Sequence, residues 1–360
     1  MKHGNSGGGP RGRGAASNAA SRFLARGRSA DDVALDPDAA EGEPRLATTL
    51  FDDDAKSVIS WNNSPDIPFD RSLNPARGCE HGCVYCYARP THAYLGLSPG
   101  LDFETKIFVK RDAAKLLRRE LERSSYRPGV LALGANTDPY QPYERGLGLT
   151  REILEVLDEF GHPVSVTTKG ALVERDLDIL ARMAERGLAQ VNVSLPTLDP
   201  VIARQMEPRA ASPQRRVESM RRLAAAGVPV AVLVAPVIPA LTDDGIERVL
   251  DAAAAGGASQ AYYVLLRLPG EVRDLFVEWL ESHYPDRAKH VMSLVQQARG
   301  GRDNDSRFGE RMRGGGAYID VIRQRFRLAC RRLRLNERRL ELRTDLFRRP
   351  VPPGAQLALF

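Results

Sequence analysis

Three cysteines within eight residues are the strongest chemical feature of this 360-residue chain. The segment Cys79-Glu-His-Gly-Cys-Val-Tyr-Cys86 spaces them as C-x3-C-x2-C, and the fourth cysteine, Cys330, lies far away in an arginine-rich segment. A disulfide between two of the three would leave one thiol over. The spacing therefore predicts one inorganic centre held by three thiolates, which is either a zinc ion or an iron–sulfur cluster.

These two centres need different numbers of protein ligands. A structural zinc site is closed by four Cys or His side chains, and His81 could complete a Cys3His site. A four-iron cluster on three cysteines keeps one iron without a protein ligand, and an open metal position is where chemistry takes place. Because His81 lies between the first two cysteines rather than at the spacing of a second ligand pair, the pattern favours the cluster. We expect Cys330 to be a small core residue rather than a ligand.

The residues around the cysteines resemble those of a known enzyme superfamily. C-x3-C-x2-C with an aromatic residue, Tyr85, directly before the third cysteine is the signature of the radical S-adenosylmethionine (radical SAM) enzymes. The flanking residues 74–89 and the segment Thr137-Asp-Pro-Tyr-Gln-Pro142 narrow the resemblance to an uncharacterised group related to spore photoproduct lyase. The likeness covers about residues 63–335 and leaves both termini outside.

The resemblance implies two cofactors and a set of residues that hold them. In the family, a [4Fe–4S] cluster, here on Cys79, Cys83 and Cys86, binds S-adenosylmethionine at its open iron and cleaves it reductively to a 5′-deoxyadenosyl radical that abstracts hydrogen from a substrate. Tyr85 matches the aromatic residue near the adenine. The residues that match those holding the methionine and ribose ends of S-adenosylmethionine are Thr137, Lys169 and Ser194. Ordinary roles, as strand-end caps for the two hydroxyls and as a solvated turn residue for the lysine, stay open.

One position departs from the lyase pattern. Where spore photoproduct lyase has a cysteine that returns hydrogen to the product radical, this chain has Ala135, which cannot donate a hydrogen atom. Tyr87, directly after the third cysteine, matches a family tyrosine in the hydrogen-return path, although it could equally be an ordinary buried aromatic residue. Either Tyr87 alone returns the hydrogen, or the reaction differs.

Strand and helix patterns alternate regularly after the cysteine segment. Short apolar runs predict six strands near residues 72–75, 130–134, 163–168, 190–194, 228–235 and 261–266, with helical patterns between them. Six strands in one direction require right-handed crossovers. The chain is therefore predicted to be an α/β protein with a partial (β/α)6 TIM-type barrel over residues 73–268. An extended lead-in, residues 46–72, should precede the barrel, and a helical C-terminal extension, residues 269–335, should follow it.

Charge is concentrated in the terminal segments. Residues 1–30 contain basic side chains and no acid, residues 31–45 are acidic, and residues 302–349 carry 15 arginines against 7 acids. This composition predicts a disordered arm over residues 1–45, basic and then acidic, and an Arg-rich tail over residues 336–360. The basic segments suit nucleic acid, but solvated helix faces would explain them equally well. The end of the chain, Gln356-Leu-Ala-Leu-Phe360, resembles peptides that dock on the DNA polymerase sliding clamp, or it could fold back onto the barrel.

Together these features predict a radical SAM enzyme that acts on nucleic acid in a reaction resembling DNA repair. It would need an electron donor of the flavodoxin or ferredoxin type. Two alternatives stay open: a non-catalytic nucleic-acid-binding protein with a structural metal centre, and a radical SAM enzyme acting on a small molecule or a peptide. No apolar run approaches the ~20 residues that span a bilayer, so we expect a cytoplasmic protein with no membrane partner.

Overall fold

The predicted six-stranded parallel barrel is present in the structure. The computed structural model describes residue 10, residues 12–19, residue 22 and residues 46–350. The strands are β1 (Thr49–Asp52), β2 (Ile59–Trp61), β3 (Arg71–Leu73), β4 (Ala76–Arg77), β5 (Lys106–Val109), β6 (Leu131–Leu133), β7 (Val164–Thr168), β8 (Ala189–Ser194), β9 (Val230–Val237) and β10 (Gln260–Leu265). The main sheet has the order β10-β9-β8-β7-β6-β3-β2, in which neighbours from β3 to β10 are parallel and β2 is antiparallel to β3.

Helices connect these strands and cover the outside of the barrel. They are α1 (Leu101–Thr105), α2 (Ala113–Leu121), α3 (Glu144–Leu147), α4 (Leu149–Glu159), α5 (Leu177–Glu185), α6 (Pro200–Met206), α7 (Pro213–Ala225), α8 (Ile246–Ala255), α9 (Val272–His283), α10 (Pro285–Gln297) and α11 (Ala317–Arg332). The start of α7 follows from its sequence, because the Ser212 hydroxyl caps the helix and Pro213 needs no hydrogen-bond partner at that position. Helices α9 to α11 lie in the C-terminal extension.

Apolar side chains of the barrel strands and the helices around them meet in one large core, and smaller apolar clusters lie beside it. In β7, Val164 and Val166 are fully buried, and on α4 Leu154 and Leu157 are fully buried at helical spacing. Parallel strands that are covered by helices carry such apolar runs, which is why the sequence pattern located them. Among the described residues, no helix has both the length and the apolar character needed to cross a membrane.

A second, three-stranded sheet lies outside the barrel and was not predicted. Strand β1 of the lead-in pairs in parallel with β5, and β5 pairs antiparallel with β4. The sequence gives only weak signals for these short strands, and β1 meets β5 more than 50 positions along the chain, at Thr49 and Lys106. The lead-in therefore contributes one strand to each sheet, because β2 extends the main sheet.

Residues 12–19 differ from the expectation of a disordered arm over residues 1–45. Arg13 is buried and donates to the main-chain carbonyl of Glu104 at 2.8 Å, and the Glu104 carboxylate accepts from the amides of Gly14 (3.0 Å) and Ala15 (2.9 Å). A buried carboxylate that needs donors explains why this basic, glycine-rich stretch is ordered. The acidic residues 31–45 and the clamp-like residues 356–360 lie outside the described part of the chain.

The tail after α11 packs across the amino ends of two barrel strands. The amide of Arg348 donates to the carbonyl of Phe160, and the amide of Arg343 donates to that of Gly187, both at 2.9 Å. The ring of Phe347 lies edge-on against His162, with 5.7 Å between ring centroids. Since Phe160 and Gly187 precede β7 and β8, residues 343–348 close the end of the barrel opposite the cysteine segment.

This packing makes stability depend on the protonation of His162. Burial lowers the pKa of His162 to about 4, below the ordinary value near 6.5. The folded state therefore resists protonation, so stability is complete above pH 6.5 and falls as the pH drops from 6.5 to 4. Chemical denaturation should show that His162 accounts for a loss of about 2 kcal/mol between pH 7 and pH 5. The variant His162→Phe should lack this component, whereas exchange of the exposed His290 for Gln should leave it unchanged; equal profiles for His162→Phe and wild type would contradict the prediction.

Candidate functional site

The cysteine segment follows β3 and β4 at the carboxyl end of the barrel strands, the rim at which parallel barrels place their chemistry. The amide of Cys79 donates to the carbonyl of Phe103 at 2.9 Å, and that of Val84 donates to Met206 at 3.1 Å. Cys79 and Cys83 are buried and Cys86 is half-buried, and all three are free thiols. The segment is thus a fixed part of the barrel, and it places three thiols at the rim.

The tight path of this segment requires glycine at position 82. Gly82 has a φ of +68°, which side chains rarely adopt, and a Cβ atom there would lie 2.7 Å from a carboxylate oxygen of Glu104. Glycine thereby lets the chain turn between the first two cysteines while it passes close to the buried carboxylate.

The fully buried guanidinium group of Arg89 binds the main chain of the same segment. Its Nε donates to the carbonyl of Cys83 at 2.9 Å, and its Nη2 donates to the carbonyl of Gly82 at 3.2 Å and forms an ion pair with Glu104. Its Nη1 donates to the carbonyls of Pro99 and Gly100, each at 3.0 Å. Arg89 therefore satisfies main-chain carbonyls of the cysteine segment that burial would otherwise leave unpaired.

Asp138 connects the cysteine segment to the ends of two further strands. Its carboxylate accepts from the Thr168 hydroxyl (2.7 Å) and the Lys169 amide (2.6 Å), and Nδ1 of His81 lies 3.2 Å from its Oδ2. Burial alone would raise the pKa of Asp138, but His81, Thr168 and the Lys169 amide together lower it to about 2. Asp138 is thus an ionised hub that fixes His81 and the β7 end relative to each other.

Tyr85 lies in a buried network of charged groups. Its hydroxyl donates to one carboxylate oxygen of Glu207, and Arg216 forms an ion pair with the other. Arg216 also donates to the carbonyl of Ser194 at 2.9 Å. The amine of Lys169 lies 5.9 Å from the centroid of the Tyr85 ring. The network brings Tyr85, Lys169 and the β8 end to one place beside the cysteines.

The charges around Lys169 keep its amine protonated. Burial alone would lower the pKa of Lys169, but Cys83 and Glu207 outweigh burial and raise it above its ordinary value. Likewise burial would raise the pKa of Glu207, but Arg216 and Lys169 lower it. A protonated amine next to the thiols is suited to binding a carboxylate.

Thr137 and Ser194 lie at the rim as expected, with their hydroxyls already engaged. The Thr137 hydroxyl donates to the carbonyl of Ala76 at 2.9 Å, and the Ser194 hydroxyl donates to the carbonyl of Ala235 at 3.2 Å. Both side chains are buried. In this arrangement each hydroxyl caps a neighbouring main chain, so binding a ligand through its hydrogen would require the hydroxyl to turn.

Tyr87 lies at the exposed side of the same rim. Its side chain is 46% exposed, and its hydroxyl donates to the carbonyl of Ala135, the position at which the lyase pattern has a cysteine. The guanidinium of Arg267, which follows β10, lies 5.5 Å from the centroid of the Tyr87 ring. Tyr87 therefore bridges the ends of β6 and β10 and faces the mouth of the barrel.

The donor set fits an iron–sulfur cluster better than a single metal ion. Burial raises the pKa of Cys79 well above its ordinary value and that of Cys83 to about 12, so cations are needed to hold these groups as thiolates. In the described residues, no three His, Cys, Asp or Glu side chains converge on one point that could hold an ion. His81 lies against Asp138 instead, which speaks against a Cys3His zinc site.

Sequence reasoning missed several residues of this site. Asp138 and Arg89 lie inside the motifs that carried the resemblance, and a charged residue within such a motif could have indicated that they belong to the site. Glu207 and Arg216 have no such signal. Glu207 accepts from Tyr85 and pairs with Arg216, and periodicity does not predict how these distant segments meet.

Comparisons with known proteins agree with this geometry. The family model of the radical SAM superfamily matches residues 73–253. An uncharacterised protein of Mycobacterium tuberculosis is 40% identical over 237 residues, which are 65% of this chain and 70% of that protein. An uncharacterised protein of Methanocaldococcus jannaschii is 24% identical over 237 residues, covering 64% and 82% of the two chains.

Among solved structures, spore photoproduct lyase has a similar fold. The lyase complexed with dinucleoside spore photoproduct superposes with a TM-score of 0.54 at 17% identity, over 79% of this chain and 78% of the lyase. At 17% identity, this superposition shows that the two proteins share a fold and shows nothing more. The family match goes further: the chain belongs to the radical SAM superfamily, whose members use a [4Fe–4S] cluster and S-adenosylmethionine.

Proposed function

We propose that this protein cleaves S-adenosylmethionine reductively and uses the resulting radical on nucleic acid, in a reaction resembling that of spore photoproduct lyase. The observation that carries the proposal is the placement of three thiols, Cys79, Cys83 and Cys86, at the carboxyl rim of the barrel beside the protonated amine of Lys169. As a radical SAM enzyme, the protein needs an electron donor.

The proposal gives each rim residue a task. The bound cofactors supply a carbon radical that removes hydrogen from a substrate; the protein must position both partners and exclude water. Lys169 would hold the carboxylate of S-adenosylmethionine, and Tyr85, fixed by Glu207, would face its adenine. Arg89 keeps the cysteine main chain in place, so it supports the site without contacting a ligand.

Tyr87 is the residue that we propose for hydrogen return. Its hydroxyl reaches the carbonyl of Ala135, so the phenol lies beside the position at which the lyase pattern has a thiol. Its exposed ring faces the mouth of the barrel, through which a substrate would enter. There the Tyr87 O–H bond can break and supply the hydrogen atom of a new C–H bond on the product radical, which alanine cannot do. The phenoxyl radical left on Tyr87 would regain one electron from the electron donor and one proton from solvent.

The nucleic-acid substrate is supported by the fold shared with the lyase and by the arginine-rich C-terminal part. Its test is transfer of deuterium from DNA labelled on its deoxyribose or thymine methyl groups into 5′-deoxyadenosine, measured by mass spectrometry under anaerobic conditions. We expect more deuterium in 5′-deoxyadenosine from wild type than from the control Cys79→Ala, which keeps Tyr87 but lacks the cluster. Cleavage of S-adenosylmethionine without any transfer from irradiated or unirradiated DNA would contradict the substrate assignment.

Exchange of Lys169 for Met should weaken binding of S-adenosylmethionine roughly 10- to 100-fold, because a hydrogen bond to a charged group contributes about 1.5–3 kcal/mol. Equilibrium dialysis of the reconstituted, unreduced protein measures this affinity. The exposed Lys115 is the matched control, and Lys115→Met should bind like wild type. Equal affinities of the two variants for S-adenosylmethionine would show that Lys169 does not bind this cofactor.

A further inference from the structure

A basic and aromatic surface lies next to the rim and extends beyond the site described above. The loop between α10 and α11, residues 299–316 (the rim loop), contains five arginines and three acids. The carbonyl of Met312 accepts from the amide of Leu265 at 3.1 Å, and Asn304 accepts from the amide of Leu268 at 3.3 Å. These bonds seat the rim loop on the carboxyl end of β10, directly beside the mouth of the barrel.

Arg267 joins this loop to the site. Its guanidinium lies over the Tyr87 ring, and its polar contact to the loop is a long one, 3.6 Å to the sulfur of Met312. No carboxylate in the described part of the chain pairs with Arg267, and its buried Nε has no hydrogen-bond partner there. Asp66 acts on Arg267 electrostatically, but it forms its ion pair with Arg311. A half-buried guanidinium without an ion pair of its own is suited to an anion from outside the chain.

Phe308 extends this basic and aromatic surface away from the mouth of the barrel. Its side chain is 57% exposed, and the guanidinium of Arg311 lies 4.6 Å from its ring centroid. Asp66 of the lead-in accepts from the amide of Gly309 at 2.7 Å and pairs with Arg311, so the tip of the rim loop is held in position. An exposed ring that is fixed and backed by an arginine is a stacking surface for a planar group.

Tyr87, Arg267, Arg311 and Phe308 thus form a continuous track from the barrel mouth to the protein surface. We propose that this track binds single-stranded nucleic acid, with an unpaired base stacked on Phe308 and a backbone phosphate on Arg267. This inference rests on the proposed function, because it supplies the path by which a nucleic-acid substrate reaches the rim.

The chemistry of the track favours a single strand over a duplex. Stacking on Phe308 needs the face of a base, and in a duplex both faces are covered by neighbouring bases. Phosphates recognised by Arg267 give affinity without sequence preference. The track therefore selects for an exposed base next to a phosphate, and not for a base sequence.

Binding of a short fluorescein-labelled oligothymidine to the full-length, reconstituted protein tests this, with fluorescence anisotropy measured over a range of salt concentrations. Wild type should bind the single strand more tightly than its duplex with oligoadenine. Phe308→Ala should raise the Kd for the single strand about tenfold, and Phe308→Trp should restore it. Arg267→Gln should raise the Kd and lower the slope of log Kd against log salt by about 0.7, the value for one phosphate of a single strand. The controls Tyr262→Ala and Arg248→Gln change exposed side chains that are not part of this track, and both should bind like wild type.

Unchanged binding by Phe308→Ala, an equal loss with Tyr262→Ala, or equal affinity for the duplex would each overturn the track. The variant Phe308→Ala is also assayed for 5′-deoxyadenosine formed in the absence of nucleic acid, which should equal that of wild type. If wild type forms no 5′-deoxyadenosine, the proposed function is wrong, and the anisotropy data still show whether the track binds single-stranded nucleic acid. If it does and binding is unaffected by Phe308→Ala, only the track fails.

Discussion

Alanine at Cys79, Cys83 or Cys86 should reduce the iron and sulfide retained after anaerobic reconstitution by at least about tenfold, because a ligand that contributes a metal–thiolate bond cannot be replaced by a methyl group. The fourth cysteine provides a matched control. Cys330 is buried in the apolar core next to α8 and lies far from the rim, so Cys330→Ala should keep its full iron content.

Iron and sulfide analysis, together with the visible absorption of the cluster, measures the outcome. The assignment of the three ligands would be contradicted by a rim variant that keeps a full cluster, or by a loss of iron in Cys330→Ala equal to that in the rim variants. Circular dichroism of each variant shows whether the barrel itself has remained folded.

Exchange of Arg89 for Met should lower the free energy of unfolding by about 3–5 kcal/mol, the usual cost of removing one partner of a buried ion pair. Arg89 and Glu104 are both fully buried, so Glu104 would lose its counter-ion in a site without solvent. The carbonyls of Gly82 and Cys83 would also lose their donor. Reconstituted Arg89→Met should therefore also release its iron faster than wild type.

Urea denaturation of the metal-free protein measures the first effect, and iron release to a chelator measures the second. An exposed ion pair serves as the control: Arg118 pairs with Glu159, and both side chains are more than a third exposed, so Arg118→Met should cost less than about 1 kcal/mol. A loss for Arg89→Met no larger than that for Arg118→Met would show that Arg89 does not hold the cysteine segment.

The barrel could be predicted from the sequence, because the patterns that reveal its strands and helices are local. Each strand is a short apolar run, and the helices between them carry periodic apolar faces, so order and direction follow from chain connectivity. The β7 strand, predicted at residues 163–168, is found at Val164–Thr168. The cysteine segment was equally accessible, because its three cysteines are neighbours in sequence.

Contacts between distant segments were not accessible in the same way. The second sheet depends on β1 meeting β5, and the ordered residues 12–19 depend on the buried Glu104 accepting from Gly14 and Ala15. In both cases composition indicated an irregular segment, and a tertiary partner overrides that local tendency. Glu207, which fixes Tyr85, was missed for the same reason.

The engaged hydroxyls illustrate a further limit of motif matching. The family resemblance implies a cofactor role for Thr137, and in the structure its hydroxyl donates to the carbonyl of Ala76. A motif gives a residue's place at the rim but not the direction of its hydrogen bond. Asp138, one position further on, makes the connections between strands that the motif could not reveal.

Reductive cleavage of S-adenosylmethionine by this protein is measured as the 5′-deoxyadenosine that it forms. The reconstituted protein is incubated anaerobically with dithionite and S-adenosylmethionine, and the product is quantified by liquid chromatography and mass spectrometry. We expect 5′-deoxyadenosine and methionine from wild type, and neither above background from Cys79→Ala. Wild-type protein that carries a full cluster and forms no more 5′-deoxyadenosine than Cys79→Ala would show that the protein does not cleave S-adenosylmethionine reductively.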